Sequence, residues 1–85
     1  MTAPSYWVQV GAFRNPDAAA RLVSRLHERN LVLSHGPELR LRVRVGPFSD
    51  RAEALSKLLE LRAKGYKPFI IEEREKLTAG RQARF

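Results

Sequence analysis

Three arginines at alternate positions, Arg40, Arg42 and Arg44, are the residues of this chain best suited to chemistry. They lie in the run Arg-Leu-Arg-Val-Arg-Val-Gly-Pro-Phe, residues 40–48. Period-two alternation marks a strand with one buried face and one open face. Leu41, Val43 and Val45 take the first, and the arginines take the second. A guanidinium pairs bidentately with carboxylate or phosphate, so a row of three can read a spaced polyanion. A second run, residues 6–13, reads Tyr-Trp-Val-Gln-Val-Gly-Ala-Phe. Alternation puts Tyr6, Val8 and Val10 on its buried face and Trp7, Gln9 and Gly11 on its open face. Gln9 offers two donors and an acceptor, which suits sugar hydroxyls or N-acetyl groups. Trp7 can stack on a sugar ring or a base. Each has a plainer reading. Exposed arginines keep a sheet face from aggregating, a lone Gln is usually solvated, and a Trp can simply cover a sheet edge.

Other chemistry is poorly provided for. The two histidines, His27 and His35, fall in a helix and a turn, without the spacing a metal site needs. No Ser has a nearby base in a recognisable arrangement. There is no phosphate-loop glycine pattern and no carboxylate pair on the open face. The sequence therefore argues against catalysis, a cofactor and a metal.

The 85 residues make one domain with a modest core, and an apolar fraction of 44% fits a folded chain. Sixteen Lys and Arg against nine Asp and Glu leave a net charge of +7. That excess suits a polyanion, an acidic glycan or an anionic lipid surface. With no cysteine there is neither a disulfide framework nor a thiolate metal site. No apolar run spans a bilayer, and the N-terminus carries no signal-peptide core. A domain like this working outside the cytoplasm takes its export or anchoring segment from a parent chain.

The elements that must position the open-face residues follow from local signals. The first strand covers Tyr6–Phe13. Asn15, Pro16 and Asp17 cap and open a helix whose buried stripe is Ala19, Leu22, Val23 and Leu26. Arg29 suits its C-terminal end, and Asn30 the left-handed closing position. Leu31–Ser34 is a short strand, joined to the arginine strand through the turn cluster His35-Gly36-Pro37-Glu38. Asp50 with Glu53 forms a capping-box pair for a second helix, with Ala54, Leu55, Leu58, Leu59 and Leu61 on its apolar side. Lys64-Gly65 ends that helix, and Tyr66–Glu72 is a fourth strand. Residues 1–5 read as an extension, 6–73 as the domain and 74–85 as a flexible tail.

The halves repeat. Val10-Gly11-Ala12-Phe13 returns as Val45-Gly46-Pro47-Phe48, a shift of 35. The same shift places Asn15 on Asp50, Ala19 on Ala54, Val23 on Leu58, Leu26 on Leu61 and Asn30 on Gly65. One βα unit used twice gives the α+β order βαββαβ, the split βαβ of the ferredoxin-like class. The expected fold is a four-stranded antiparallel sheet, order 4-1-3-2, with two helices on one face. Strands one and three are then neighbours, about 4.8 Å apart. Trp7, Gln9, Arg40, Arg42 and Arg44 share the open surface. Phe13 and Phe48 plug the space beneath the helices.

The joint presence of VQVGAF and RVRVGPF at repeat spacing, with Ala54, Leu61 and Gly65 in the second helix, resembles the SPOR domain, the sporulation-related repeat. The resemblance covers about residues 5 to 73 and implies a non-catalytic module that binds peptidoglycan. In the family the ligand is a glycan strand stripped of stem peptides, a substrate enriched at division septa. The resemblance thus implies a cell-envelope, septal location, through an anchor or signal outside this chain. By motif match it assigns the site glutamine to Gln9, the small residue after Gly to Ala12 and the leading arginine to Arg42. Many members carry Ser at the position of Ala12, so a hydroxyl is missing here. Together with Trp7, Arg40 and Arg44, these make the expected glycan-binding set, on a monomer.

The rival expectation is RNA binding, because RNA-recognition motifs share this topology and use the same sheet face. Their signature needs aromatics on the third strand where Arg42 and Arg44 stand, so few bases would find a stacking partner. A dimerisation module is a third reading, and the row of cations argues against a dry homodimer.

Overall fold

A computed structural model describes residues 3–74. Of the tail expected at 74–85, Arg74 is described as the last residue of a strand; the rest of that expectation lies outside the described residues. The elements run β1 (Pro4–Phe13), α1 (Pro16–Leu26), β2 (Leu31–His35), a 3-10 turn (Pro37–Leu39), β3 (Leu41–Phe48), α2 (Arg51–Ala63) and β4 (Phe69–Arg74). The sheet order is β2-β3-β1-β4, and every pair is antiparallel. This is the 4-1-3-2 order that the repeat predicts.

The helices begin where their caps say. Asn15 Oδ1 accepts from the Asp17 N–H at 2.8 Å, and Asp50 Oδ1 accepts from the Ala52 N–H at 2.9 Å. Each satisfies one of the donors a helix start leaves open. Asp50 does this without a returning side-chain bond from Glu53 among the described residues, so the expected capping box is one-sided. Helix α2 closes as anticipated. Gly65 is left-handed at φ 99°, its N–H donates to Arg62 O at 3.0 Å, and the Tyr66 N–H reaches back to Leu61 O at 3.3 Å. That pair of bonds is the Schellman arrangement.

Helix α1 ends earlier than expected. His27, not Asn30, takes the left-handed position, at φ 52°. Leu26 is the last buried residue of the stripe, and the chain turns there to bring Leu31 beside Val45. Two strands also shift: β1 starts at Pro4, paired with Arg74, and β4 starts at Phe69 rather than Tyr66.

The core lies between the helices and one sheet face. Val8, Val10, Val43 and Val45 from the sheet meet Ala19, Leu22 and Leu26 from α1 and Ala54 and Leu61 from α2. Burying an aliphatic side chain of this size contributes about 1.5–3 kcal/mol. Tyr6, Phe13, Leu41, Phe48 and Ile70 pack around this centre. Leu55 and Leu59, expected on the apolar side of α2, are exposed. The repeat places them on Ala20 and Ser24, both on the exposed side of α1, while the position of the buried Leu22 in α1 is Lys57 in α2. Lys57 is held by Glu28 at 3.0 Å and Glu60 at 3.2 Å, so this flank of α2 is ionic where that of α1 is apolar.

Candidate polyanion-binding face

Strict alternation does not survive in β1. The register with β3 runs Gln9↔Arg44 and then Gly11↔Val43, so Val10 is an extra residue, a β-bulge. Beyond it every side chain changes face. Gly11, expected on the open face, points into the core, where an added Cβ would lie 2.9 Å from Phe13 Cε2 and 3.2 Å from Leu22 Cδ2. Ala12 takes its place on the open face, opposite Arg42. The bulge is therefore what brings Ala12 next to Arg42, the two residues to which the resemblance points.

The open face is assembled from all four strands. Pairing places Ser34 beside Arg42, Arg42 beside Ala12, Arg44 beside Gln9, Gln9 beside Phe69, and Trp7 beside Ile71. Phe69 was not among the expected site residues, yet it is half exposed on this face. Its neighbour Ile70 packs against the core, and the pairing of Phe69 with Gln9 shows that Phe69 points the other way.

The three arginines stand in three different environments. Arg44 is only 4% exposed, contrary to the expectation of an open row. Its guanidinium lies over the Trp7 ring at 4.4 Å from the centroid, and Nη2 sits 2.9 Å from Glu73 Oε2. The angle of that contact is not that of a hydrogen bond, so it is an ion pair only. Burial of a cation is tolerated where a carboxylate and an aromatic face replace water. Trp7 is correspondingly engaged: Arg44 covers its ring, and Gly46 abuts its Cε3 edge. Arg40 is exposed and lies 3.6 Å from Glu38. Arg42 is half-buried and, among the described residues, has no carboxylate partner. Its stem rests on Gly36, where a Cβ would come within 2.8 Å of Cδ and Nε.

Gln9 is also more enclosed than its place on an open sheet suggests, at 8% exposed, because Arg44 and Phe69 flank it. Its Oε1, like Arg42 Nε and Ser34 Oγ, is buried without a hydrogen-bond partner among the described residues. Gln9, Ala12, Arg40 and Arg42 together line a shallow concavity of about 270 Å³, and Glu38 forms its remaining wall. Glu38 also receives a bond from Arg14 Nη2 at 3.3 Å. Neither Arg14 nor Glu38 was anticipated, because a turn has no period from which to read where its side chains point. Among the described residues no three of His, Cys, Asp and Glu gather to hold a metal ion.

A ferredoxin-like α+β sheet with its helices on one side and a basic, shallowly concave face on the other defines a binding module. The family model for the SPOR domain matches residues 2–72, and the chain belongs to that family. SPOR domains are peptidoglycan-binding modules, typically of periplasmic and cell-envelope proteins. No curated protein and no solved structure matches the chain significantly. No helix among the described residues is long and apolar enough to cross a membrane.

Proposed function

We propose that this domain binds peptidoglycan glycan strands from which the stem peptides have been removed, and so carries its parent protein to the division septum. The observation that carries the proposal is the concavity in which Arg42, without a carboxylate partner among the described residues, stands beside Arg40, Gln9 and Ala12. Amide cleavage of the stem peptide frees a lactyl carboxylate on each muramic acid. The strand becomes a regular polyanion and loses its bulky branches. Arg42 meets one carboxylate, Arg40 supports it, and Ala12 leaves room for the sugar backbone. The Gln9 amide takes a sugar hydroxyl or N-acetyl group. Burying Oε1 unpartnered costs about 1–3 kcal/mol, which a ligand donor recovers. An intact stem peptide would place bulk where the strand must lie and remove the charge that Arg42 reads, so selectivity comes from exclusion as well as attraction. Arg44 acts from the side, covering the Trp7 ring and bracing Gln9. The role is binding, with no reaction at the site.

The test is a pulldown with intact sacculi, amidase-treated sacculi and single-stranded RNA. The expected result is retention on treated sacculi alone. Arg42→Ala removes a charge-assisted contact worth about 1.5–3 kcal/mol, so affinity for treated sacculi falls about tenfold or more. Binding to RNA alone, or an Arg42→Ala variant that binds as before, would overturn the reading. In cells a fluorescent fusion of the parent protein gathers at septa, and the variant spreads around the envelope.

A further inference from the structure

Among the described residues, Glu38 is the one carboxylate that lines the concavity, and it pairs with Arg14 and Arg40. We infer that it is a built-in counter-ion for the site and sets its selectivity: it occupies Arg14 and Arg40 until a ligand with several correctly spaced carboxylates displaces it. This rests on the concavity being the glycan site.

The backbone is shaped for that purpose. Glu38 and Leu39 are both left-handed, at φ 61° and φ 59°, a conformation side-chain-bearing residues seldom adopt, least of all two in succession. The turn projects the Glu38 carboxylate between two arginines from different parts of the chain. Arg14 follows β1 and Arg40 precedes β3, at 3.3 and 3.6 Å. All three side chains are substantially exposed, at 70%, 47% and 64%, so the pairs are screened and exchange easily. Such contacts are poor candidates for stabilising the fold. They are well suited to being replaced.

The selectivity follows from effective concentration. A tethered carboxylate competes at roughly millimolar effective concentration. A lone or irregularly spaced carboxylate in dilute solution loses to it. A glycan strand first engages Arg42, which Glu38 does not hold, and its next carboxylate then competes for Arg40 intramolecularly. Arg14, outside the strands, becomes a further ligand-contacting cation once Glu38 is released.

The experiment compares the wild-type domain with Glu38→Gln and Glu38→Gly on two probes, amidase-treated sacculi and soluble poly-glutamate. Glu38→Gln keeps the shape of the side chain, and Glu38→Gly removes the carboxylate while accepting the left-handed backbone. Both variants are expected to bind poly-glutamate about fivefold or more better, because the internal competitor is gone. Their affinity for treated sacculi rises about twofold, so the preference for the glycan falls. An unchanged preference in both variants overturns the inference while leaving the glycan reading standing. Weaker binding of both variants to treated sacculi also overturns it, by making Glu38 a support for Arg40. A wild-type domain that ignores treated sacculi overturns the site reading itself.

Discussion

Val10-Gly11-Ala12-Phe13 and Val45-Gly46-Pro47-Phe48 are the same turn by sequence, and each sits at a β-bulge. The fold uses them for different ends. In β1 the bulge turns Gly11 inward beneath Phe13 and puts Ala12 on the open face. In β3 the register passes from Val8↔Val45 to Tyr6↔Phe48, so Gly46 and Pro47 stand opposite Trp7. Gly46, at φ 148°, lies against the ring, and its N–H donates to Asn30 O at 3.0 Å. One copy builds the floor of the concavity; the other seats the tryptophan that holds Arg44. A repeat therefore fixes where a bulge occurs, and the neighbours of each copy decide what it positions.

The comparison is broken most severely at Gly46. A Cβ there would lie 3.1 Å from both Trp7 Cε3 and Tyr6 O, in a backbone conformation that disfavours any L side chain. Gly46→Ala is expected to cost about 3 kcal/mol, read as a lowered urea midpoint. Gly11→Ala meets only side chains, Phe13 and Leu22, at an ordinary φ. It is expected to cost about 1–2 kcal/mol, the usual range for overpacking. Equal losses would mean that the two glycines serve the same purpose after all.

How far the sequence reaches can be judged from the same turns. Caps, alternation and the 35-residue shift gave the elements, their order and the core valines, because those signals are local or periodic. The register change at Val10 was not legible: alternation carries no mark of where a strand gains a residue. Without it, alternation puts Gly11 on the open face, and only the family resemblance points to Ala12. The burial of Arg44 was hidden for a related reason. Its partner Glu73 comes from the far edge of the sheet, and the pairing needs the register of β1 on β4 to be known. Glu38 was hidden because its direction is set by two left-handed residues that no pattern announces.

A gentler probe asks whether the β1 bulge serves binding alone. Ala12→Leu fills the floor of the concavity without touching the core. Affinity for amidase-treated sacculi is expected to fall about tenfold, or about 1.4 kcal/mol, with the urea midpoint unchanged. A stability loss matching that of Gly11→Ala would mean that the bulge residue is structural, and the division of labour between the two turns would lose its basis.

The smallest expected effect lies where the helices of the two halves part company, at Leu22 and Lys57. Lys57 is partly desolvated, which lowers its pKa, but hydrogen bonds and charge from Glu28 and Glu60 outweigh this and hold it above its ordinary value of 10.5. A pKa raised on folding means that the native state binds the proton more tightly than the unfolded chain. The resulting stabilisation is complete below about pH 10.5 and is lost as pH rises through the native value. Lys57→Met makes α2 resemble α1 and removes that alkaline loss. By itself it also strands Glu28, whose side chain is 13% exposed, and is expected to cost about 1 kcal/mol at neutral pH. Lys57→Met with Glu28→Gln removes both charges together, and the double variant should return to within about 0.5 kcal/mol of the wild type. Chemical denaturation at pH 7 and pH 11 reads both effects. A double variant as unstable as the single one would show that the ion pair stabilises the domain, rather than filling a position where the first half of the repeat places a leucine.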